Sequence, residues 1–517
     1  MSEDFNLESF FHLSDEITTE EMMILDNNSK YLGIPTLLLM ENAGCSIVQA
    51  LIENQMDLKD KIITIFAGLG NNGGDTFVVA RHLTFHGSKI LLFLLGDPDR
   101  ISSDISKLNW EALQKLDYCV KSIIIRDSSQ LKSWKKTINE SDIIIDGILG
   151  TGVRGKLREP IKTAISLINN SNKFVCSVDV PSGVNPDTGE IIDDAIKANM
   201  TVTFHKIKSG LKKSTNIGKI IVKNIGIPPE AEVYVGKGDL LSFNQNRSLK
   251  SHKGDSGRVL VIGGNETFSG APALVSLAAY RTGSDLVMTV VPSKVAASVR
   301  AYSPNLIVKD YEGKNFNEMG LELTKKLIEW PTAVAIGPGL GREEETNKNV
   351  IDFLSIVANK NIPTVIDADA LKAIKDDLAI LKKGNFLLTP HLGEYNILSN
   401  QNLNANDEMN KKIKNIFEFA KKIEATILLK GHYDIISNGR RLKINKTGTP
   451  AMTVGGTGDV LTGITASLMG MKIDPMKSAC IGAFINGIAG ELATNDLNGN
   501  HLLASDLLDY LPKAFHI

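Results

Sequence analysis

The chain has 517 residues, of which 43% are apolar and 22% charged, as in ordinary soluble globular proteins. Its length predicts two or three domains, because single hydrophobic cores stop growing beyond about 250–300 residues. Lysine and arginine total 57 against 59 acidic residues, and the net charge of −2 argues against a broad basic surface for nucleic acid.

No stretch reaches the roughly 18 uninterrupted apolar residues of a membrane-spanning helix. The first residues are acidic and polar, which argues against a secretory signal, so we expect a cytoplasmic protein. The cysteines lie far apart without metal-binding spacing, which indicates free thiols in a reducing compartment: Cys45, Cys119, Cys176 and Cys480.

The first elements predict a parallel sheet with a glycine-rich turn at its edge. Helices are expected over residues 17–26 and from residue 32 onward, and the β-branched, apolar run 62–66 is typical of a buried parallel strand. The turn AGLGNNGGD follows, and a helix is predicted over about residues 76–85. This strand–turn–helix order is the phosphate-binding unit of doubly wound folds, although the spacing is not GxGxxG.

Further strands are predicted at residues 90–95, 123–125, 143–145 and 174–178, with a helix at 104–116. Asp75, Asp146 and Asp179 therefore follow three strands, at the edge where open α/β sheets bind ligands. Asparagines in the first turn suit a hydroxyl-rich ligand or a cation. The alternatives are acids that only cap helices and a turn that merely favours asparagine and glycine.

Five motifs occur in order in this half: LLMENAG, AGLGNNGGD, DGILGTGVRG, VDVPSG and TFHKIKSGL. Together they resemble the NAD(P)H-hydrate epimerase domain, a Rossmann-like family, over about residues 17–227. The resemblance implies a potassium ion on Asn72, Asp146 and Ser182, and Asp179 as the acid/base that lets C6 of the nicotinamide ring invert. Thr76 stands where the family usually has glycine, and its bulk would narrow the pocket.

The same resemblance implies that the glycine-rich turn and the glycine loop after residue 146 bind the hydrated nucleotide. The implied substrate contacts are Asn71, Asn72, Gly73, Gly74, Asp75, Gly150, Thr151, Gly152, Val153, Arg154, Gly155, Lys156 and Asp179. Independently of the resemblance, the arginine and lysine of the second loop suit an anion.

A proline pair and weak periodicity place the domain boundary within residues 226–243. Beyond it, strands are predicted at residues 259–262, 286–291, 333–336, 364–366, 386–388 and 426–429, with a small-residue helix at 271–282. Nearly every strand ends in a polar or glycine-rich loop: GPGLG, DADAL, TPHLGE or KGHYD. The two halves share no repeated motif, which argues against internal duplication.

The stretch GTPAMTVGGTGDVLTG, residues 448–463, predicts a glycine-rich loop that leads into a buried helix. Unpaired amides at such a helix start favour a phosphoryl group. A carboxylate beside an anion site is unfavourable for binding, but Asp459 is explained if it takes a proton from a hydroxyl that attacks phosphorus. The alternative is a helix N-cap formed by Thr457 or Asp459.

These loops resemble the ADP/ATP-dependent NAD(P)H-hydrate dehydratase, a ribokinase-like fold, over about residues 252–511. The resemblance implies Gly339 and His391 as contacts of the hydrated nicotinamide nucleotide and Asp459 as the base. His391 would otherwise be a core histidine, but its position after Thr-Pro at a strand end favours the cleft. Ser284 and Asp285 replace small residues of the family, which is expected to place a carboxylate near the nucleotide cleft. The implied nucleotide contacts are Lys430, Gly431, His432, Tyr433, Asp434, Gly456, Thr457 and Gly458.

The sequence thus predicts an α/β protein of two doubly wound domains. These are an N-terminal Rossmann-like three-layer sandwich (1–227), a linker (228–245) and a C-terminal ribokinase-like domain (246–517). The resemblance implies epimerisation of the R and S hydrates NADHX and NADPHX and dehydration of the S form with ADP or ATP, leaning towards ADP.

K⁺ in the first domain, Mg²⁺ with the nucleotide in the second and a homo-oligomer are also implied, without nucleic-acid or membrane partners. Two other functions stay open at this point. The glycine loop with its aspartate also serves a small-molecule kinase, for instance of a vitamin precursor. The first domain alternatively acts as a non-catalytic scaffold, against which its three strand-end acids argue.

Overall fold

The structure is a computed structural model and describes residues 15–152, 155–191, 193–243, 247 and 250–516. It divides into two compact units between Ala231 and Glu232. Each unit is built on its own sheet of mostly parallel strands. Among the helices of the described ranges, none is long and apolar enough to cross a membrane.

The first unit alternates strands and helices along most of its length. Its strands are β1 (Glu16–Ile17), β2 (Ile62–Ala67), β3 (Lys89–Leu95), β4 (Val120–Ile125), β5 (Ile143–Gly147), β6 (Phe174–Val178), β7 (Met200–Phe204), β8 (Ile207–Lys208) and β9 (Lys219–Lys223). Its helices are α1 (Thr19–Tyr31), α2 (Thr36–Glu53), α3 (Asn71–Phe85), α4 (Asp104–Leu113), α5 (Ser128–Ser133), α6 (Lys135–Asn139) and α7 (Ile161–Asn169), followed at the division by α8 (Pro229–Val233). Short 3-10 helices lie at Pro98–Arg100 and Leu211–Lys213.

Seven parallel strands form the main sheet of this unit, in the order β4-β3-β2-β5-β6-β7-β9. Successive residues of β2 point to opposite faces, so Ile63 and Ile65 enter one core while Phe66 enters the other. The sheet is therefore covered on both sides, which gives three layers. The strand order reverses at β2, which has β3 on one side and β5 on the other. Ligands of such sheets bind at the reversal point, outside the carboxyl ends of the strands.

The second unit begins with a 3-10 helix at Lys237–Ser242 and then alternates in the same way. Its strands are β10 (Arg258–Ile262), β11 (Leu286–Pro292), β12 (Ile307–Tyr311), β13 (Ala333–Ile336), β14 (Thr364–Ile366), β15 (Phe386–Leu388), β16 (Thr426–Leu429), β17 (Asp434–Ser437) and β18 (Leu442–Asn445). Its helices are α9 (Gly270–Thr282), α10 (Ser293–Ala301), α11 (Glu318–Leu327), α12 (Glu344–Asn359), α13 (Ala368–Ala373), α14 (Leu392–Ser399), α15 (Met409–Ile423), α16 (Thr457–Gly470), α17 (Pro475–Asp496) and α18 (Ala504–Ala514).

Nine strands form its sheet, in the order β12-β11-β10-β13-β14-β15-β16-β17-β18. The pairs β16–β17 and β17–β18 are antiparallel, and all others are parallel. Val259 and Val261 of β10 enter one core, whereas Leu260 and Ile262 enter the other. Here the strand order reverses at β10, so the loops after β10 and β13 flank the expected ligand crevice.

The structure confirms the strands predicted from apolar runs and corrects several helix bounds. The helix predicted over residues 104–116 ends at Leu113, and the one predicted from residue 32 begins at Thr36. The helix predicted over residues 76–85 begins at Asn71, so the NNGGD turn is its first turn. Glycine allows this start because a Cβ on Gly73 would lie 2.0 Å from the carbonyl oxygen of Gly68. The first helix covers Thr19–Tyr31 rather than residues 17–26, and Thr18 caps it through a capping box.

Candidate functional site

A buried carboxylate, Asp146, organises the carboxyl edge of the first sheet. Its Oδ2 accepts hydrogen bonds from Ser177 Oγ at 2.8 Å and from the Ser182 amide at 2.9 Å. Its Oδ1 accepts from Ser182 Oγ and from the Ile148 amide. Burial raises the pKa of Asp146 above its ordinary value, although these donors oppose the rise.

Ser182 contacts Asp146, and Ser182 and Asn72 meet at the carbonyl oxygen of Leu149, which brings the three implied potassium ligands to one place. Asn72 Nδ2 donates to the carbonyl oxygen of Leu149 at 3.0 Å, and Ser182 Oγ lies 3.2 Å from the same oxygen. A Cβ on Gly150 would lie 3.3 Å from Asn72 Oδ1, so the second glycine loop packs directly on this amide. The cluster offers only oxygen ligands and one carboxylate, a set that suits a hard cation.

Asp179 is held beside a fully buried lysine. It follows β6 with a φ of +60°, and its Oδ1 accepts from Lys208 Nζ, Thr203 Oγ1 at 3.0 Å and the Phe204 amide at 3.3 Å. Lys208 has 0% exposure, and its Nζ also donates to the Phe204 carbonyl at 3.0 Å. A buried ammonium requires such a set of acceptors, so Lys208 fixes the orientation of Asp179.

Asp26 and Asp75 add two further carboxyl groups to this cluster. Burial raises the pKa of Asp26 to about 6, with Lys208 opposing and Asp179 adding to the rise. Burial also raises the pKa of Asp75 well above its ordinary value, helped by the charges of Asp179 and Asp26. Three carboxyl groups therefore share one ammonium, and folding disfavours having all three ionised.

Sequence reasoning missed Lys208 and Asp26 as members of this cluster. Lys208 lies within the TFHKIKSGL motif, but a lysine at a strand end is ordinarily solvated, and no local pattern signals its burial. Asp26 lies on α1, whose start is fixed by two hydrogen bonds from Thr19 to Asp187, at 2.8 and 2.6 Å. Pairing of β1 with β8 sets Ile17 opposite Lys208 and brings this helix to the site.

Some implied contacts are exposed, contact other residues or lie outside the described residues. Val153 and Arg154 are among the latter, and Gly155 and Lys156 are exposed. Asn71 Oδ1 accepts from Ser103 Oγ at 2.7 Å, so this amide ties α3 to α4.

The expected narrowing of the pocket by Thr76 is wrong. Thr76 has 0% exposure, and its Oγ1 donates to the carbonyl of Gly73 at 2.6 Å. A Cβ on Gly147 would lie 2.0 Å from the methyl carbon of Thr76, so the threonine side chain fills the space between α3 and β5.

In the second unit, Asp459 lies in the first turn of α16. The helix N-cap is Gly456, with a φ of +99° and no side-chain capping hydrogen bond. A Cβ there would lie 2.7 Å from Leu274 Cδ1 and 2.8 Å from Ala504 Cβ, so the position requires glycine. Thr457 Oγ1 instead donates to carbonyls of the preceding loop, at 3.1 and 3.2 Å. The interpretation of Thr457 or Asp459 as a cap is therefore wrong.

A lysine and a second carboxylate lie beneath this helix start. Lys430 Nζ donates to Asp367 Oδ1 at 2.9 Å, and Thr462 Oγ1 donates to Asp367 Oδ2 at 2.7 Å. A Cβ on Gly458 would lie 3.2 Å from Lys430 Nζ, so the ammonium is next to the first-turn backbone. The amides of this turn have no intrahelical acceptor, and amides and ammonium together form an anion site.

The charges around Asp459 set its protonation. Burial and the negative charge of Asp367 raise the pKa of Asp459 to about 7, against the opposing charge of Lys430. Burial alone would raise the pKa of Asp367, but Lys430 and its hydrogen bonds hold it below its ordinary value. A carboxyl group that titrates near neutrality is suited to general base catalysis.

The other implied contacts lie on the loops around this edge. His391 is the N-cap of α14: its Nδ1 accepts from the Gly393 amide at 3.0 Å, and its side chain is 59% exposed. The core-histidine alternative is therefore wrong. Gly339 has a φ of +70° and lies against Phe268. Asp434 accepts from Gly431, and burial raises its pKa to about 6.

The expectation that Asp285 places a carboxylate near the cleft is wrong. Asp285 precedes β11 and therefore lies at the amino edge of the sheet, opposite the loops described above. Its Oδ2 accepts from the Gly254 and Ser256 amides, both at 2.9 Å, and its Oδ1 pairs with Arg247 at 2.8 Å. It organises the turn before β10. Ser284 likewise makes an internal contact, with Ser467 at 2.8 Å.

Comparison with known proteins assigns both units. The family described as NAD(P)H-hydrate dehydratase matches residues 259–513, and the family described as YjeF-related protein N-terminus matches residues 36–210. The bifunctional NAD(P)H-hydrate repair enzyme Nnr of Methanothermobacter thermautotrophicus is 42% identical over 96% of this chain and 94% of its own. The enzyme of the same name from Pyrobaculum aerophilum is 42% identical over 97% and 98%.

Among solved structures, the ADP/ATP-dependent NAD(P)H-hydrate dehydratase of Bacillus subtilis, co-crystallised with ATP/Mg²⁺, is similar at 27% identity and a TM-score of 0.47. It matches 55% of this chain and 98% of its own. The family assignment depends instead on the full-length relatives, which match the two units together at 42% identity. The chain therefore belongs to the family of bifunctional NAD(P)H-hydrate repair enzymes.

Proposed function

We propose that the second unit phosphorylates the C6 hydroxyl of the hydrated nicotinamide ring, with Asp459 as general base. Asp459 takes the hydroxyl proton while the oxygen attacks the terminal phosphorus of ADP or ATP. The bond from that phosphorus to the bridging oxygen breaks, and AMP or ADP leaves with the bonding electrons. Phosphate then leaves C6 with its bonding electrons, and loss of a proton from C5 restores the ring double bond. Phosphorylation is useful because hydroxide is a poor leaving group and phosphate a good one.

One observation carries this proposal: Asp459 shares the start of α16 with free amides and the Lys430 ammonium. The amides of Gly456 to Gly458 and the ammonium suit the oxygens of the transferred phosphoryl group. The carboxyl group, with a pKa of about 7, suits the proton transfer. In this arrangement Gly339 and His391 contact the hydrated nucleotide, and the loop from Lys430 to Asp434 contacts the adenosine nucleotide.

The test is Asp459→Asn, which keeps the size of the side chain and removes the base. We expect nucleotide binding and interconversion of the R and S hydrates to persist, while neither hydrate is returned to NADH. The control is the epimerase activity of the same preparation. Dehydration of the purified S hydrate near the parent rate would mean that Asp459 is not the base.

For the first unit we propose that Asp179, oriented by Lys208, exchanges the proton that allows C6 to invert. C6 carries both a hydroxyl group and the ring nitrogen, so removal of the hydroxyl proton opens the C6–N1 bond to an aldehyde. Return of the proton and ring closure on the other face complete the inversion. Asp179→Asn should lower R-to-S conversion by about 10²–10⁴-fold, as for general acid–base groups, and leave dehydration of the S hydrate unchanged. Retained conversion would transfer the role to Asp75.

Cations form a further part of the proposal. The oxygens of Asn72, Asp146 and Ser182 would hold K⁺, which supplies positive charge beside the substrate phosphate. Replacing potassium with lithium, whose size suits fewer oxygens, should slow epimerisation, and equal rates in both salts would exclude this role. Mg²⁺ would accompany the nucleotide and neutralise its phosphates. A preference for ADP and a homo-oligomeric state remain proposals from the sequence resemblance, and a cytoplasmic location remains a proposal from the acidic, polar first residues.

The two alternatives from the sequence are less well supported. A vitamin-precursor kinase needs only the second unit, whereas the curated relatives match both units and carry the repair-enzyme name. A scaffold needs no buried acids at the sheet edge, whereas Asp146 and Asp179 are both buried and hydrogen-bonded there. Incubation with hydrated NADH and nucleotide, followed by absorbance in the reduced-nicotinamide band, separates the repair enzyme from the kinase. The same assay on the purified R hydrate separates it from the scaffold, because the R form must first be epimerised.

A further inference from the structure

Asp367 has no part in the proton and phosphoryl transfers proposed above, yet it is deeply built into the same site. It follows β14 as the N-cap of α13 but makes no side-chain capping hydrogen bond. With 2% exposure, it gives one oxygen to Lys430 at 2.9 Å and the other to Thr462 at 2.7 Å. Burying a charged carboxylate is costly, so a role for this one is expected.

The position of Lys430 indicates that role. Its ammonium is next to Gly458, the residue adjacent to Asp459. Lys430 and Asp459 perturb each other's pKa, yet the described contacts of Lys430 within 4.0 Å pair it with Asp367 and not with Asp459. The two groups are therefore neighbours that remain unpaired because Asp367 takes the ammonium.

We propose that Asp367 is a positioning residue that holds the Lys430 ammonium beneath the start of α16 and keeps it from pairing with Asp459. This inference depends on the proposed role of Asp459 as base. A direct ion pair would stabilise the Asp459 carboxylate and make it a weaker base. It would also move the ammonium away from the path of the phosphoryl group.

The charged groups facing Asp459 come from two loops. Asp367 lies in the loop after β14 and Lys430 in the loop after β16, and both act on Asp459. Glu394 of α14 acts on Lys430 and has Lys372 at 3.7 Å. Removing the charge of Asp367 and removing that of Lys430 should therefore change the titration of Asp459 in opposite directions.

The experiment measures the pH dependence of kcat for nucleotide-dependent dehydration of purified S hydrate in Asp367→Asn and Lys430→Gln. The acid limb of this profile is the part in which kcat rises with pH as Asp459 loses its proton. In Asp367→Asn it should move to lower pH by about one unit, because Asp459 loses a negative neighbour and gains the freed ammonium. In Lys430→Gln it should move to higher pH. The kcat of Asp367→Asn should fall roughly 10²-fold, as for a misplaced catalytic group, with a smaller change in the nucleotide KM.

The matched control is Asp285→Asn, the same substitution at a buried carboxylate on the opposite edge of the sheet. It should leave the acid limb in place. R-to-S conversion in each preparation verifies that the chain is intact, and thermal unfolding reports folding of the second unit. If Asp367→Asn does not fold, the double variant Asp367→Asn/Lys430→Gln leaves no unpaired charge. Its acid limb should lie below that of Lys430→Gln and at or slightly below that of the parent, because the raising effect of Asp367 and the smaller lowering effect of Lys430 are lost together.

Acid limbs that stay in place, or that move in the same direction in both single variants, would overturn the inference. A low kcat with an unmoved limb would also overturn it, because a purely structural role predicts that result. Failure of the base assignment is separate: dehydration by Asp459→Asn near the parent rate refutes that assignment. Loss of activity in Asp459→Asn with unmoved limbs in the other variants refutes only the role of Asp367.

Discussion

Substitution of Lys208 by methionine tests the buried ion pair of the first unit. Lys208 has 0% exposure and its partner Asp179 only 9%, so solvent cannot replace the lost charge. Removing one partner of a buried pair typically costs about 3–5 kcal/mol, because the other is left buried and unpaired. Lys208→Met should therefore lower the free energy of unfolding of this unit by about 3–5 kcal/mol.

The assay is denaturant unfolding followed by tryptophan fluorescence. Trp110 and Trp134 lie in the first unit and Trp330 in the second, so a Trp330→Phe background reports the first unit alone. Epimerisation should fall by about 10²-fold or more, because Asp179 loses the group that orients it. Dehydration of the S hydrate by the same preparation is the internal control.

The double variant Lys208→Met/Asp179→Asn separates charge from packing. Without an unpaired charge, it should recover part of the lost stability while epimerisation stays low. A loss below about 1 kcal/mol in Lys208→Met would refute the buried pair, since this is the value of an exposed one. A double variant no more stable than Lys208→Met would show that the cost is one of packing.

Three further predictions concern the backbone and pH. Gly456→Ala should destabilise the second unit by about 1–3 kcal/mol and impair dehydration, because φ is +99° and the new Cβ would lie 2.7 Å from Leu274; thermal unfolding measures this. Asp26→Asn should stabilise the first unit at neutral pH, because burial raises the pKa of Asp26 to about 6 and disfavours the charged form. This gain should disappear as pH falls through 6 towards the unfolded value near 4, in denaturant unfolding over a pH series. The dehydration rate should rise with pH through about 7 as Asp459 loses its proton, and a pH–rate profile measures it.

Much of the fold is predictable because its strands are buried on both faces. Runs such as Ala333–Ile336 and Phe386–Leu388 are wholly apolar, and the structure confirms their bounds. The start of α3 was not predictable in the same way, because the two glycines of NNGGD have poor helix propensity. They occur there because the helix packs on the preceding loop, a tertiary contact that local sequence does not contain.

The residues of the candidate sites likewise form two groups, those that a local motif marks and those whose roles depend on tertiary contacts. Asp146, Asp179 and Asp459 were identified because each occurs in a recognisable motif at the end of a strand or the start of a helix. Lys208 and Asp367 also lie in or beside quoted motifs, but their roles depend on burial and on pairing. Lys208 pairs with a residue 29 positions away, and Asp367 with one 63 positions away. No local sequence pattern indicates that residues so far apart in the chain form a pair.

The two units use a buried lysine differently, and the difference matches the proposed chemistry. In the first unit Lys208 pairs with the proposed acid/base Asp179 itself, which fixes its direction within a cluster of acids. In the second unit Lys430 pairs with Asp367, and Asp459 keeps a pKa of about 7. A base that must deprotonate an alcohol beside phosphate gains from remaining unpaired, because pairing would weaken it. An acid/base that gives its proton back within one turnover gains more from fixed orientation. If Lys430 paired with Asp459 instead of Asp367, dehydration should therefore be impaired. The loss should exceed that caused by any comparable change of charge in the first unit.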